Sequence, residues 1–165
     1  MNRSMIVGVM GGGTAGPSAI QAACDLGAAI AAKGWILLNG GRNAGIMAAS
    51  AKGASEGGGT TVGILPDADP SEASPHIHIP ICTGIGSARN IINVLSSDIV
   101  VACPGGAGTI SEIALALKHG KTVITMGFDT GSLFAAYRHQ GQLIDVQTPA
   151  EVVHAIENVR WPADA

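Results

Sequence analysis

A glycine-rich segment, PGGAGTISE (104–112), has the residue types and the spacing needed to bind an anion. It directly follows an apolar run and precedes a pattern typical of a helix. Gly105, Gly106 and Gly108 have no side chains, so the backbone N–H groups at the start of that helix are open to a ligand. The helix dipole adds about 0.3–1 kcal/mol in favour of a negative group. The segment therefore predicts a site for an anion such as phosphate.

Two charged residues near this segment can serve either the site or the fold. Arg89 can add a charge-assisted hydrogen bond to a bound anion. Glu112 can act on a ligand, but Thr109 and Glu112 also have the spacing of a capping box, in which both side chains satisfy backbone N–H groups. One carboxylate cannot fill both roles in one conformation, so a binding and a capping interpretation stay open.

Two further loops follow predicted strands. GGGTAG (11–16) has the G-x-G-x-x-G spacing, but the second strand ends without the carboxylate that would hold a ribose, which argues against a nicotinamide-dependent dehydrogenase. The loop therefore either contacts phosphate or only makes a tight turn. In NGGRNAG (39–45), Arg42 lies just beyond a strand end, where it either grips an anion with two hydrogen bonds or stays solvated.

Short apolar runs alternate with longer helical patterns, and this alternation predicts where these loops lie. Strands are predicted at 5–10, 35–39, 60–66, 76–82, 98–104, 122–128 and 142–147, and helices at 18–33, 44–56, 87–97, 109–119, 131–139 and 148–159. The pattern predicts an α/β fold, a single Rossmann-like domain (1–165) with a doubly wound parallel sheet flanked by helices. Ligands of such folds bind outside the carboxyl ends of the strands, where the three loops fall.

The composition narrows the class of protein. The 165 residues have a formal net charge of -3 and 3% aromatic residues, which argues against a nucleic-acid partner. No apolar run reaches the ~20 residues of a membrane span, and the N-terminal apolar stretch is too short for a signal peptide. Charged residues make up 13%, about half the usual ~25%, which favours a homo-oligomer, either a dimer or a tetramer.

The cysteines and two histidines favour ordinary structural roles. Cys24, Cys82 and Cys103 are odd in number and lack metal-type spacing, which predicts reduced thiols in the cytoplasm. Cys82 and Cys103 are expected to be small buried groups. His76 and His78 share a face if they lie on a strand, but without a third ligand they predict no metal site.

The segment FDTGS (128–132) follows a predicted strand and therefore passes the same positional test as the glycine-rich loops. Asp129, Thr130 or Ser132 can reach a ligand from this position. An N-cap on the following helix is the favoured interpretation, because short polar side chains are preferred at that position.

PGGAGTISE resembles the P-G-G-x-G-T-x-x-E signature of a Rossmann-like superfamily that is often called lysine decarboxylase-like. Its best-known enzymes, the Lonely Guy phosphoribohydrolases, hydrolyse the N-glycosidic bond of nucleoside 5′-monophosphates. They have an arginine about eight residues before a Ser-Asp dipeptide, and Arg89 has that spacing here. The next residue is Asn90, where those enzymes have lysine. The resemblance implies that the glycine segment binds phosphate and that Arg89 and Glu112 lie at the reacting ribose.

From about residue 5 to about residue 158, the chain is more similar to the molybdenum cofactor carrier proteins of algae and cyanobacteria. This resemblance implies a non-catalytic carrier whose cargo is molybdenum cofactor, with the phosphate at the PGGAGT loop and the metal held by the pterin's own sulfurs. The alternative is a nucleoside 5′-monophosphate phosphoribohydrolase with Arg89 and Glu112 as catalytic residues, and a nucleotide-binding regulatory sensor is a third class. The residues expected to bind the ligand are Gly12, Gly13, Gly41, Arg42, Ser87, Arg89, Asn90, Gly105, Gly106, Gly108, Thr109 and Glu112.

Overall fold

Seven parallel strands form a single sheet in the computed structural model, which describes residues 3–159. The strands are β1 (Ile6–Met10), β2 (Ile36–Asn39), β3 (Thr61–Leu65), β4 (Ile79–Cys82), β5 (Ile99–Ala102), β6 (Val123–Met126) and β7 (Leu143–Val146). Their order is β4-β3-β2-β1-β5-β6-β7, so later strands are added on both sides of β1. This arrangement confirms the predicted doubly wound α/β fold. The ends of the predicted domain, residues 1–2 and 160–165, lie outside the described residues.

Helices cover both faces of this sheet. They are α1 (Pro17–Ala32), α2 (Gly45–Glu56), α3 (Asn90–Ser96), α4 (Ala107–Lys118), α5 (Ala135–His139) and α6 (Pro149–Asn158). α1, α2 and α6 pack on one face, and α3, α4 and α5 on the other. A central strand such as β5 is consequently buried along its whole length, as the apolar run predicted. Within residues 3–159, no helix is long and apolar enough to cross a membrane.

The segment after β6 differs from its prediction. The predicted helix at 131–139 is shorter, because α5 begins only at Ala135 and has Phe134 at its N-cap. Asp129 does not cap it. Its Oδ1 instead accepts a hydrogen bond from the Gly131 N–H group at 2.7 Å, which closes a turn typical of aspartate. The N-cap interpretation of this segment was therefore wrong.

The edge strand β4 is also shorter than the prediction at 76–82. It begins at Ile79, so His76 and His78 precede it, and His78 Nδ1 lies 3.0 Å from Thr61 Oγ1. Cys82, predicted to be buried, is exposed because it lies at the end of a strand with a neighbour on only one side. Among the strands of the described part of the chain, none pairs with the outer edge of β4.

Candidate functional site

The three glycine-rich loops meet where the strand order reverses, at the carboxyl ends of β1 and β5. Gly12 joins them. Its N–H group donates to the carbonyl oxygen of Pro104 at 3.0 Å, and its own carbonyl oxygen accepts from Ile46 N, in α2, at 3.0 Å. A cavity of about 210 Å³ opens beside this junction. The residues that line it are Val9, Met10, Gly11, Gly12, Gly13, Gly40, Met47, Arg89, Asn90, Gly106, Gly108, Thr109 and Glu112.

Most of the residues predicted to bind a ligand line this cavity. These are Gly12, Gly13, Arg89, Asn90, Gly106, Gly108, Thr109 and Glu112. Gly105 lies directly behind them, where a side chain would overlap Thr109 Oγ1, so the turn requires glycine. Five further residues complete the lining and were not among the predicted ligand contacts: Val9, Met10, Gly11, Gly40 and Met47.

Three predicted residues point elsewhere. Arg42 forms a two-pronged, half-exposed ion pair with Asp67, with Nε–Oδ2 and Nη2–Oδ1 distances of 3.2 and 2.9 Å. Gly41 is buried, and its N–H group donates to Asn39 Oδ1 at 2.8 Å. Ser87 is exposed in a short 3-10 turn outside the cavity lining. The guanidinium of Arg42 therefore has a protein partner in the position where the sequence predicted an anion.

The capping interpretation of Thr109 and Glu112 was wrong. α4 begins at Ala107 with Gly106 as its N-cap, so Thr109 is already the third residue of the helix. No side chain within residues 3–159 caps this helix, which leaves its first N–H groups facing the cavity without a side-chain partner there. A capping box does exist at Thr148 and Glu151, at the start of α6.

Glu112 instead faces two polar residues across the cavity wall. Asn93, in α3, donates from Nδ2 to Glu112 Oε1 at 2.9 Å. Arg89 Nη1 lies 3.5 Å from the same oxygen and donates more closely, at 2.7 Å, to Asn90 Oδ1. The side chains of Arg89 and Glu112 are only 11% and 7% exposed. Sequence reasoning missed Asn93, although a polar residue three positions after Asn90 within an apolar helix pattern is a detectable signal.

These hydrogen bonds leave two buried polar atoms unused. Among residues 3–159, Arg89 Nε and Asn93 Oδ1 are the buried side-chain atoms with no hydrogen-bond partner. Buried polar groups are normally paired, and unpaired ones concentrate at functional sites. The cavity lining thus retains one spare donor on Arg89, and Asn93, which lies outside the lining and bonds to Glu112, retains one spare acceptor.

Burial dominates the electrostatics of the pair. It raises the pKa of Glu112 above its ordinary value, and the Asn93 hydrogen bond and the Arg89 charge offset this only in part. Burial likewise lowers the pKa of Arg89. A buried arginine and a carboxyl group with a raised pKa therefore flank the uncapped start of α4.

Other groups near the strand ends have little chemistry of their own. Burial raises the pKa of Cys103 to about 12, so this thiol is not a ready nucleophile. No group of three or more His, Cys, Asp or Glu in the described part of the chain is placed to hold a metal ion. A larger groove of about 750 Å³ lies between β7 and α6, and none of the predicted site residues line it.

Comparison with known protein families matches residues 4–153 to the SLOG cluster4 family. The chain belongs to that family. Its structure is similar to that of the molybdenum cofactor binding protein from the phototrophic bacterium Rippkaea orientalis, with 44% identity, a TM-score of 0.88, and coverage of 94% of this chain and 96% of that one. The molybdenum cofactor carrier protein of Chlamydomonas reinhardtii is similar too, with 44% identity, a TM-score of 0.86, and coverage of 94% and 97%.

A more distant relative of this SLOG cluster4 chain is an enzyme. The cytokinin riboside 5′-monophosphate phosphoribohydrolase of Mycobacterium tuberculosis is 35% identical over an alignment of 103 residues, and the match covers 57% of this chain and 51% of the enzyme. The chain therefore spans about half the length of that relative. Both resemblances predicted from the glycine segment and its surroundings are confirmed, and the carrier-like structures cover far more of the SLOG cluster4 chain.

Proposed function

We propose that this SLOG cluster4 protein binds and carries molybdenum cofactor without catalysis, with the cofactor phosphate at the start of α4. The observation that carries the proposal is the cavity itself, where an uncapped helix start and glycine-rich loops meet a buried arginine. Similarity to a molybdenum cofactor binding protein and a molybdenum cofactor carrier protein, over 94% of this chain in each case, supports the identity of the cargo.

Different residues of the cavity contribute different interactions. The N–H groups near Gly106, Gly108 and Thr109 donate hydrogen bonds to the phosphate oxygens, and the dipole of the twelve-residue helix α4 adds to the attraction. Arg89 supplies the positive charge. A cavity of about 210 Å³ is small for a drug-sized ligand, which typically occupies about 300–1,000 Å³, so it encloses the phosphate end and the pterin extends outwards.

A pair of substitutions in the first turn of α4 tests this assignment. A Cβ atom at Gly108 would lie 4.0 Å from Asn90 Nδ2, across the cavity, so Gly108→Leu fills the space where the anion binds. Ala107→Leu is the matched control, because Ala107 is exposed in the same turn but does not line the cavity. We expect cofactor retention on ultrafiltration to be lost only in Gly108→Leu. Equal retention by both variants would refute the phosphate position.

The alternative function is a nucleoside 5′-monophosphate phosphoribohydrolase. The observation that favours it is that Arg89 and Glu112 share one cavity, and burial raises the pKa of Glu112, as suits general acid–base catalysis. Incubation with a panel of nucleoside monophosphates distinguishes the two. A carrier releases no free base. A phosphoribohydrolase releases free base, and Glu112→Gln abolishes this release. A regulatory nucleotide sensor would instead show a nucleotide-dependent protein partner.

We also infer a homo-oligomer, a dimer or a tetramer, in the cytoplasm. An exposed apolar surface formed by β4 and Ile85 supports the homo-oligomer. The side chains of Ile79, Ile81 and Ile85 in this surface are 48%, 44% and 50% exposed. Residues 73–88 contain no Asp, Glu, Lys or Arg, so two copies of this surface can meet without charge repulsion. Pro80 lacks the N–H group that extending the sheet requires, which favours side-chain packing.

Light scattering tests the oligomer. We expect Ile81→Glu to yield monomers, and Leu133→Glu, which changes a 62% exposed side chain near α5, to keep the wild-type mass. A monomeric wild-type protein would refute this inference.

The cytoplasmic assignment is supported by Cys24, Cys82 and Cys103, which are free thiols, and it is tested by fractionating cells that express the tagged protein.

A further inference from the structure

A carrier has no evident use for a buried carboxyl group beside a site for a negative ligand. We propose that Glu112 takes up a proton when an anion enters the cavity, and that the resulting carboxylic acid pairs at two points with the Asn93 side-chain amide. The inference rests on the proposed anion site, and it explains how the charge of that site changes when an anion binds. It makes Asn93, a residue outside the cavity lining, a positioning residue for binding.

The unpaired oxygen of Asn93 is the first observation behind this inference. Asn93 is fully buried, its Nδ2 donates to Glu112 Oε1 at 2.9 Å, and its Oδ1 has no donor within residues 3–159. A primary amide and a carboxylic acid are complementary, since each offers one donor and one acceptor. A proton on Glu112 Oε2 is the donor that Oδ1 lacks, whereas an ionised carboxylate has none to give.

The charge inside the cavity is the second observation. Arg89 is the charged group that acts on Glu112 among the described residues. α3 presents Asn90 and Asn93, α2 presents Met47, and the loop after β1 presents only glycines. The Arg42–Asp67 pair outside the lining also acts on Arg89, and its two charges have opposite effects. With Glu112 ionised, the charges of Arg89 and the carboxylate cancel. With Glu112 protonated, the cavity carries one positive charge, which is the state that attracts an anion.

Proton uptake is accessible because the ionised form is already disfavoured. Burial raises the pKa of Glu112 before any ligand arrives, and a nearby anion raises it further by repulsion. The proton comes from solvent and forms a bond to Oε2. The weak Arg89 Nη1–Glu112 Oε1 attraction at 3.5 Å is lost, and the guanidinium, whose Nε has no partner, turns its charge to the anion.

Sulfate is the probe that tests the inference, because it does not titrate in the range used. Isothermal titration calorimetry at pH 5, 6, 7 and 8, in two buffers of different ionisation enthalpy, measures both affinity and protons taken up. For the wild-type protein we expect uptake approaching one proton per site, and an affinity that falls by up to about tenfold per pH unit as Glu112 ionises. Binding without proton uptake at every pH would overturn the proposal.

Two variants complete the test. Glu112→Gln mimics the protonated acid, because its amide donates to Asn93 Oδ1 and accepts from Nδ2. We expect it to bind sulfate without proton uptake, independently of pH, and more tightly than wild type at pH 8. Asp145→Asn removes a carboxylate at the same sheet edge outside the cavity, and it should keep the wild-type profile.

The outcomes separate this inference from the proposed function. If Glu112→Gln keeps the pH profile, a group other than Glu112 sets it. If the variant binds more weakly than wild type at pH 8, the carboxylate itself aids binding. Either result makes the proton-uptake proposal wrong while the anion site stands. If neither protein binds sulfate at any pH, the proposed anion site fails and this inference fails with it.

Discussion

Two of the arginine–carboxylate pairs at the carboxyl ends of the strands differ in position, because one lies at the centre of the sheet and the other near its β7 edge. In the outer pair, Arg138 binds Asp145 through Nε at 2.6 Å and through Nη2 at 3.1 Å. Its remaining donors reach Thr130 Oγ1 at 2.7 Å and the Gly131 carbonyl oxygen at 3.0 Å. Thr125 also donates to Asp145, at 2.6 Å. Each nitrogen of the Arg138 guanidinium and each carboxylate oxygen of Asp145 is hydrogen-bonded, and the loop after β6 is thereby held in place.

The inner pair, Arg89 and Glu112, is built differently. It makes one long contact of 3.5 Å, is almost fully buried, and leaves Arg89 Nε unpartnered among the described residues. The Arg138 hydrogen bonds lower the pKa of Asp145, whereas burial raises the pKa of Glu112. A guanidinium and a carboxylate therefore stabilise a loop where their polar atoms have protein partners. In the inner pair, where Arg89 Nε lacks such a partner, a hydrogen-bond donor is left for a ligand.

The sharpest test of this contrast exchanges each arginine for methionine. Arg89→Met should weaken cofactor binding by about a hundredfold, because a charge-assisted bond to a buried anion is worth roughly 2–5 kcal/mol. Arg138→Met should leave binding within about twofold, since its hydrogen bonds all serve the protein. Ultrafiltration with the cofactor measures both, and thermal unfolding checks the fold. Equal losses in the two variants would contradict the distinction.

Removing the neutral donor of each carboxylate should have a smaller effect, on stability. Asn93→Leu leaves Glu112 buried without its closest hydrogen bond and should lower the free energy of unfolding at pH 7 by about 2 kcal/mol. Thr125→Val should cost only about 1 kcal/mol, because Asp145 keeps Arg138 and remains partly solvated. Urea denaturation provides the comparison. A Thr125→Val loss larger than that of Asn93→Leu would show that burial does not set the difference.

The smallest expected effects are in the pH dependence of stability, and they have opposite signs. The folded-state pKa of Glu112 is raised, so its favourable contribution is present at low pH and is lost as pH rises through that value. Glu112→Gln should therefore raise the free energy of unfolding at pH 7, by about 1 kcal/mol, and change it little at pH 4. Denaturation curves between pH 4 and pH 8 measure this, and a constant difference across that range would contradict it.

Asp145→Asn should behave in the reverse manner. The folded-state pKa of Asp145 is lowered, so its contribution is present at neutral pH and is lost as pH falls through that value, below the ordinary 3.8. Because this carboxylate is 43% exposed, solvent weakens the pair, and the substitution should cost only about 0.5 kcal/mol at pH 7. The cost should vanish near pH 2. If the cost persists near pH 2, packing and not the carboxylate charge is its cause.

The predicted positions of the loops were correct where they depend only on a few residues at the end of one strand. The glycine segment lies at the start of α4 and beside the loop after β1, because an apolar run and the glycines after it are properties of a few adjacent residues. The capping prediction for Thr109 and Glu112 failed although its spacing was correct. The helix starts at Ala107, two residues before Thr109, because the extended backbone of Gly106 ends the turn there.

The alternation of strands and helices and the glycines at the strand ends follow from the order of residues alone, because periodicity and glycine content act over short stretches of chain. Which charged side chains meet depends on how the helices and strands pack. Arg89 and Glu112 are separated by 23 residues, and Arg42 and Asp67 by 25. The packing of α3 on α4 buried the first pair, and the second stayed at the surface. Burial is a property of the assembled fold, and it distinguishes Arg89, which we propose binds the anion, from Arg42.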